Sequence, residues 1–394
     1  MKFTYQTTIK TSFVSYIVQA VVNNFAPLLF LTFQSSYGIP LSQITILISV
    51  NFIVQLLIDV VATLLLDKVG YRVGVVTAHV CAVLGLVSMT ILPDVTGNPF
   101  IGLLISVILY AMGGGLIEVI VSPLVEACPN EHKEQTMSIL HSFYCWGSVG
   151  VIAISTMFFS LFGIENWRIL ALLWALLPLI NAFMFAKVPL ATLIDEGETA
   201  LPLSGLLRNK TFIILLIVVL CAGASEHVVA QWSSTFVEKS LGLSKTVGDL
   251  LGPALFAAAM GIGRSFYGKY GEKLNLEQLM TGSGLLCIIS YLIISLIPVP
   301  AFALIGMALC GLSVAILWPG IYSVASASIK NGGSAMFALL ALSGDLGCSA
   351  GPAVVGAVSG MFGDDLKTGT LAAIVFPTVM LIFMALKRKM KEKE

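Results

Sequence analysis

The sequence predicts an all-α polytopic membrane protein of about twelve transmembrane helices arranged as two six-helix pseudo-repeats. Composition is the first observation behind this. Hydrophobic residues make up 57% of the 394-residue chain and charged residues only 11%, with a mean hydropathy of +0.97. A soluble domain carries roughly a quarter charged residues. The second observation is the recurrence of apolar stretches of about 20 residues, the length that crosses a hydrocarbon core. The third is a set of short turns in the first half that the second half repeats.

The candidate spans run over 12–34, 42–66, 72–92, 99–127, 136–162, 167–186, 211–237, 245–267, 277–296, 301–325, 334–361 and 368–386. Backbone groups in lipid must find partners within their own segment, so stretches this long and apolar read as helices. The first span is long enough to cross and holds Asn23, Asn24 and Pro27, so it reads as a retained helix and not as a cleaved signal. An even number of spans puts both termini on one side. With the N-terminus inside, only Arg168, Lys239, Lys245 and Lys367 of the 21 Lys and Arg fall outside. The positive-inside rule then predicts a multi-pass protein of the plasma (cytoplasmic) membrane with both termini cytoplasmic.

The longest internal polar interval, 187–210, separates a bundle at 1–186 from one at 211–394 that ends in a short basic cytoplasmic tail. The halves echo each other. Asp67-Lys68-Val69-Gly70-Tyr71-Arg72 follows the second span, and Gly268-Lys269-Tyr270-Gly271-Glu272-Lys273 follows the eighth. Thr32-Phe33 before Pro40-Leu41-Ser42 is matched by Thr235-Phe236 before Gly242-Leu243-Ser244. Two parallel six-helix halves joined by a cytoplasmic linker resemble the major facilitator superfamily over the full length of the chain. Asp67, Lys68, Gly70 and Arg72 match that family's turn after the second helix, with Thr63 replacing its leading Gly and Tyr71 one basic position. The resemblance implies a gating role for Asp67, Arg72 and, ending the eighth span, Arg264. An acid at Asp67 would favour the closed state by facing the N-terminus of the eleventh helix near Gly333-Ser334.

Ionisable residues away from span ends are costly in lipid and mark a bundle interior or a cavity. Here they are Asp59, Glu118, Glu226 and Asp345, with His79, His141 and His227. Ser12, Tyr16, Gln19 and Asn23 recur at three- and four-residue spacing and form one stripe on the first helix; Asn51, Gln55 and Asp59 form another on the second. On the seventh, His227 and Gln231 share a face, with Glu226 about 100° away and Trp232 alongside. Such stripes either line a wet central cavity or act as interhelical adhesive. Glu118 follows Gly113-Gly114-Gly115 and lies roughly 17 Å from Pro129 at 1.5 Å per residue, near mid-membrane. A carboxyl withdrawn from water at that depth can take up and release a proton near neutral pH.

The fourth span's G-x-x-x-E-x-x-x-x-P pattern, Leu140-His141-Ser142-Phe143 continuing to Gly147, Gly223-Ala224-Ser225-Glu226 with Trp232, and Gly263-Arg264 resemble the fucose permease branch of proton-coupled sugar symporters. The resemblance implies that Glu118 is linked to protons. That branch's fucose carriers also hold an acid on the first helix after paired asparagines, and Asn23-Asn24-Phe25-Ala26-Pro27 has none. Proton coupling therefore rests on Glu118, with Glu226 and Asp345 as further candidates. Gln19, Asn23, Asn24, Asn51, Gln55, His141, His227 and Gln231 are the candidate solute ligands. Trp146, Trp232 and Trp318 either offer flat faces to a sugar ring or simply pack.

No Lys or Arg is expected deep in a span, Arg264 being assigned to a cytoplasmic end, which argues against a phosphate or carboxylate as solute. The expected function is proton-coupled symport of a small neutral solute such as a sugar, by alternating access. Proton-coupled efflux of a drug or metabolite is the alternative, and a transporter-like sensor a weaker one. No enzyme chemistry is expected, since no Ser-His-Asp or metal cluster stands out at mid-membrane. The chain also has no G-x-x-x-x-G-K-[ST] phosphate loop. The seven cysteines contain no C-x-x-C pair and read as packing residues. The expected protein is a monomer in the lipid bilayer, with no metal, cofactor or nucleic-acid partner and with the proton gradient as driving force.

Overall fold

The computed structural model describes residues 3–39, 41–191, 201–242, 245–363 and 365–391. Twelve helical spans appear among them, here α1 to α12. The first six are α1 (Tyr5–Asn24, a 3-10 turn at Ala26–Leu29, then Phe30–Tyr37), α2 (Leu41–Val69), α3 (Tyr71–Met89), α4 (Pro99–Ala127), α5 (Lys133–Phe162) and α6 (Trp167–Lys187). They are followed by α7 (Lys210–Leu241), α8 (Lys245–Tyr270), α9 (Leu276–Leu296), α10 (Pro300–Val314 and Leu317–Ser328), α11 (Gly333–Met361) and α12 (Leu366–Ala372 and Val375–Lys391). Among the described residues, ten of these are long and apolar enough to cross a membrane.

Three spans expected to be continuous are broken, each beside a proline; in α12, Pro377 lies four residues beyond Ala373, where the span parts. Pro27 sits at the start of the 3-10 turn in α1. It has no N–H to give back to Asn23, four residues earlier, so the helix tightens there. Pro319 does the same in α10: it lacks the donor for Ala315, where the span parts. Between α2 and α3 no loop is needed, because Gly70 at φ 88° turns the chain between helices directly.

The chain forms two compact units. One comprises 1–130, 146–199 and 333–338; the other 131–145, 200–332 and 339–394. In each, polar groups turn inward and apolar ones outward. On α6, Ile169, Leu172, Leu173, Leu176, Ile180 and Phe183 are exposed while Asn181 is buried. On α9, Leu285, Ile289, Leu292 and Leu296 are exposed while Ser283, Ser290 and Tyr291 are buried. Such stripes would be untenable against water and are the surface that lipid covers.

Helix association in lipid depends on close backbone contact at small residues. A Cβ on Gly351 of α11 would lie 2.5 Å from the Ala224 carbonyl of α7, and one on Gly347 would collide with the Leu220 carbonyl. In the first unit, His79 of α3 is fully buried. Its Nε2 lies 2.9 Å from Asn181 Nδ2 and 3.1 Å from Ser15 Oγ, and its Nδ1 2.7 Å from the Val75 carbonyl. Asn181 donates and Val75 accepts, so the ring is a neutral tautomer with the proton on Nδ1. It ties α1, α3 and α6 together.

Candidate functional site

In the first unit the site is built on the three glycines of α4. A Cβ on Gly113 would lie 2.6 Å from the Ala78 carbonyl of α3, and one on Gly115 would lie 3.0 Å from Gln55 Cα of α2. Gly114 faces Val22 of α1, at 3.1 Å. Glu118 stands one turn beyond Gly114 and so points to the same side. There Gln19 Nε2 donates to Glu118 Oε2 at 2.7 Å. One turn further, Tyr16 Oη and Ser122 Oγ meet at 2.9 Å.

The amides of α1 and α2 converge beside this pair. Asn23 Oδ1 accepts from Gln55 Nε2 at 3.0 Å and from Asn51 Nδ2 at 3.4 Å. Gln19, Asn51 and Gln55 are buried, as is Asp59. Asn24 is turned elsewhere, donating to the Ala20 carbonyl at 2.9 Å and to Ser148 Oγ at 3.1 Å, which braces α1 against the middle of α5. Trp146 is 43% exposed. The structure thus brings Gln19, Asn23, Asn51, Gln55 and Glu118 into one polar group.

Arg72 serves the end of a neighbouring helix. Its Nη1 and Nη2 donate to the Phe185 and Val188 carbonyls at 2.8 and 3.0 Å. That caps the C-terminal end of α6, where a cation also meets the negative end of the helix dipole. The Asp67 side chain lies outside the described residues.

In the second unit the centre is Arg264, and here the sequence reading needs correction. Arg264 lies six residues inside the end of α8, roughly 9 Å along the axis, and its side chain is only 3% exposed. Its long side chain carries the charge inward instead of out to water. Nε donates to the Ala315 carbonyl at 2.9 Å, the group that Pro319 leaves without a helical donor. Nη1 donates to the His141 carbonyl at 3.2 Å and to Cys145 Sγ at 3.1 Å. Nη2 faces Glu226 Oε2 at 3.5 Å, and that side chain is 9% exposed. Ser138 Oγ donates to the Arg264 carbonyl at 2.7 Å. One guanidinium therefore links α5, α7, α8 and the break in α10, and the premise that no cation lies deep in the bundle does not hold.

His141 stacks edge-on against Tyr322, with ring centroids 5.7 Å apart, and Tyr322 against Trp318 at 6.0 Å. Trp318 is buried, and a Cβ on Gly344 would strike its ring. Trp232 is half-buried and donates its indole N–H to the Pro352 carbonyl at 3.1 Å. His227 and Asp345 are half-buried and Gln231 is exposed. Sequence reasoning missed Ser122, Cys145 and Ala315. Pro319 was the available signal for the last, since a proline inside a helix frees a known carbonyl four residues earlier.

Residues 11–352 match the family model of the Major Facilitator Superfamily. The chain belongs to this superfamily of membrane transporters. Among superfamily proteins, the E. coli fucose:proton symporter FucP aligns with a TM-score of 0.81 at 17% identity, covering 98% of this chain and 99% of that one. The proton:xylose symporter XylE aligns with a TM-score of 0.81 at 11% identity, over 98% and 95%. The human organic anion transporter MFSD10 reaches 0.75 at 14% identity, over 96% and 99%. At such identities the likeness is one of fold. The membrane protein MosC of Rhizobium meliloti is 25% identical over 258 residues, 65% of this chain. The chain spans 61% of that relative's length.

Proposed function

We propose that this protein is a secondary active transporter that moves a small neutral solute, such as a sugar, together with protons by alternating access of two six-helix halves, 1–186 and 211–394, joined by the 187–210 linker. The observation that carries the reading is the Gln19–Glu118 hydrogen bond of 2.7 Å beside the Asn23, Asn51 and Gln55 amides. Amides both donate and accept, which suits the hydroxyls of a polyol. A carboxyl met by an amide can be satisfied in either protonation state. The symporters FucP and XylE share the fold, which adds support. The lopsided Lys and Arg distribution supports cytoplasmic termini in the plasma membrane, and the reading takes the protein as a monomer driven by protons without a cofactor.

Buried Arg264 favours a second reading, an anionic solute. Glu226 already balances that charge at 3.5 Å, so an anion would have to displace a carboxylate of its own kind. The neutral solute remains the better reading.

The test is Glu118→Gln in liposomes, which keeps the shape of the side chain and removes its proton chemistry. Counterflow exchange of a neutral sugar should persist while pH-driven accumulation is lost. Accumulation that survives in proportion to folded protein would move the proton site elsewhere, with Glu226 and then Asp345 next. Carboxylates or lipophilic cations exchanged in preference to every sugar would overturn the neutral-solute reading.

A further inference from the structure

At the end of the first unit remote from Tyr5, the last part of α1 is a helix of its own, Phe30–Tyr37. A joint bounds it on each side. Before it lies the 3-10 turn at Ala26–Leu29, which carries Pro27. After it Gly38 stands at φ 64°, a backbone that residues with side chains rarely adopt. Among the described side chains of this segment only Phe33 is buried, while Gln34, Ser35 and Ser36 are exposed. A helix of eight residues is too short to hold itself together, so contacts to its neighbours must fix it.

Those contacts come from one face. Phe33 and Tyr37 stand one turn apart, one above the other. The Phe33 ring meets the Trp167 ring edge-on with centroids 5.5 Å apart. The next residue of α6, Arg168, takes hold of Tyr37. Its Nη2 donates to Tyr37 Oη at 2.8 Å and to Asp94 Oδ1 and Oδ2 at 2.9 and 2.8 Å. The Tyr37 hydroxyl donates in turn to Asp94 Oδ1 at 3.2 Å. Asp94 belongs to the short helix Leu92–Val95 between α3 and α4. Arg168 also lies over the Trp167 ring, 5.4 Å from its centroid. The Arg168 and Asp94 side chains are nearly half exposed, so water takes up their charges when the contact opens. An ion pair within reach of water is weak, which suits a contact that has to be released.

The joint at Ala26–Leu29 adjoins Asn23, whose Oδ1 accepts from Gln55 and Asn51. A swing of Phe30–Tyr37 about that joint therefore alters the approach to the polar group around Glu118. We infer that Phe30–Tyr37 is a lid at the Asn23 end of that group, hinged at Ala26–Leu29 and latched by Tyr37, Asp94 and Arg168. The lid adds a moving part inside the first unit, and it rests on the transport reading only for what it admits.

Hydrogen–deuterium exchange of the full-length protein in lipid nanodiscs tests the latch. Arg168→Gln should speed amide exchange across 30–37 at least ten-fold and leave 11–22 unchanged, because a released helix this short frays. Tyr37→Phe, which keeps the ring and loses the hydroxyl, should speed it less. Protection over 30–37 that is unchanged in both variants, or loosening that spreads equally to 11–22, would overturn the proposal. The motion is tested by joining Tyr37→Cys to Asp94→Cys with a short bis-maleimide, with the parent given the same reagent as control. Joined protein should lose the counterflow exchange of a neutral sugar that the unjoined double variant retains. Exchange that continues after joining would also overturn the lid. A parent that exchanges no neutral sugar would count against the transport reading instead, and the deuterium result would then decide the latch by itself.

Discussion

Two acids sit among the helices in different company. In the first unit Glu118 receives a neutral amide, Gln19, at 2.7 Å. In the second, Glu226 faces a guanidinium, Arg264, at 3.5 Å with both side chains almost completely buried. An amide carries a donor and an acceptor, so it can turn to serve a carboxylate or a carboxylic acid. A guanidinium has donors only, and it keeps its charge. At its contact with Gln19 a carboxyl in either state finds a partner; at its contact with Arg264 only a carboxylate does. The comparison teaches that depth alone does not mark a proton site. What the acid's partner can donate and accept matters as much as how deep it lies.

The largest effect that could break this comparison is on stability. Arg264→Gln leaves the Glu226 carboxylate buried without its cation, a loss expected at about 3–5 kcal/mol. Joining it with Glu226→Gln should recover most of that loss, because removing both charges also removes the desolvation cost of each. A double-mutant cycle by denaturant unfolding in detergent measures the coupling. Independent, additive losses would show that the pair does not act as a unit.

A smaller effect is expected in the first unit. Glu118→Gln should cost no more than about 1.5 kcal/mol, the scale of one intramolecular hydrogen bond, because two amides can still pair. Gln19→Leu should cost more than Glu118→Gln, since it removes the amide that donates to the acid at 2.7 Å. If Glu118→Gln proves as destabilising as Arg264→Gln, the acid braces the unit and its charge is as fixed as that of Glu226.

Much of this contrast was legible in the sequence, and what was not has a physical reason. The twelve spans follow from apolar length, and the α1 and α2 stripes from helical spacing, which is why Gln19, Asn23, Asn51 and Gln55 were found before any contact was known. Spacing within one helix says nothing about which neighbour a stripe meets. That Asn24 turns to Ser148, or that Gln19 reaches Glu118, depends on packing. Arg264 was misplaced because distance from a helix end was read as depth of charge, although an arginine side chain is long enough to carry its head into the bundle. Pro319 pointed to a freed carbonyl, but only the fold shows that Arg264 fills it. Arg72 matched a family turn, yet its donors serve the end of α6.

The smallest expected effect comes from an acid whose surroundings set the direction of its titration. Asp365 precedes the first segment of α12 and caps it, accepting from the backbone of Lys367 at 3.0 Å and of Thr368 at 3.2 Å, and from the Thr368 hydroxyl. The Thr368 hydroxyl, joined by the two backbone donors, outweighs slight burial and holds the carboxyl below its ordinary 3.8. A folded value below the unfolded one stabilises the protein above the unfolded value, and that stabilisation is lost as pH falls through the folded one. The contribution of Asp365 is therefore constant between pH 5 and pH 8 and fades only below about 3.8. Asp365→Ala should cost about 1 kcal/mol, the usual worth of an N-cap, by the same amount at pH 8 and pH 5. At pH 3 the difference from the parent should shrink. Thermal unfolding at the three pH values, with and without Glu118→Gln, then separates the acids. A slope between pH 5 and 8 that disappears in Glu118→Gln and persists in Asp365→Ala assigns the titration to Glu118. If Asp365→Ala abolishes that slope, stability cannot report on the buried acids and only the transport assay can.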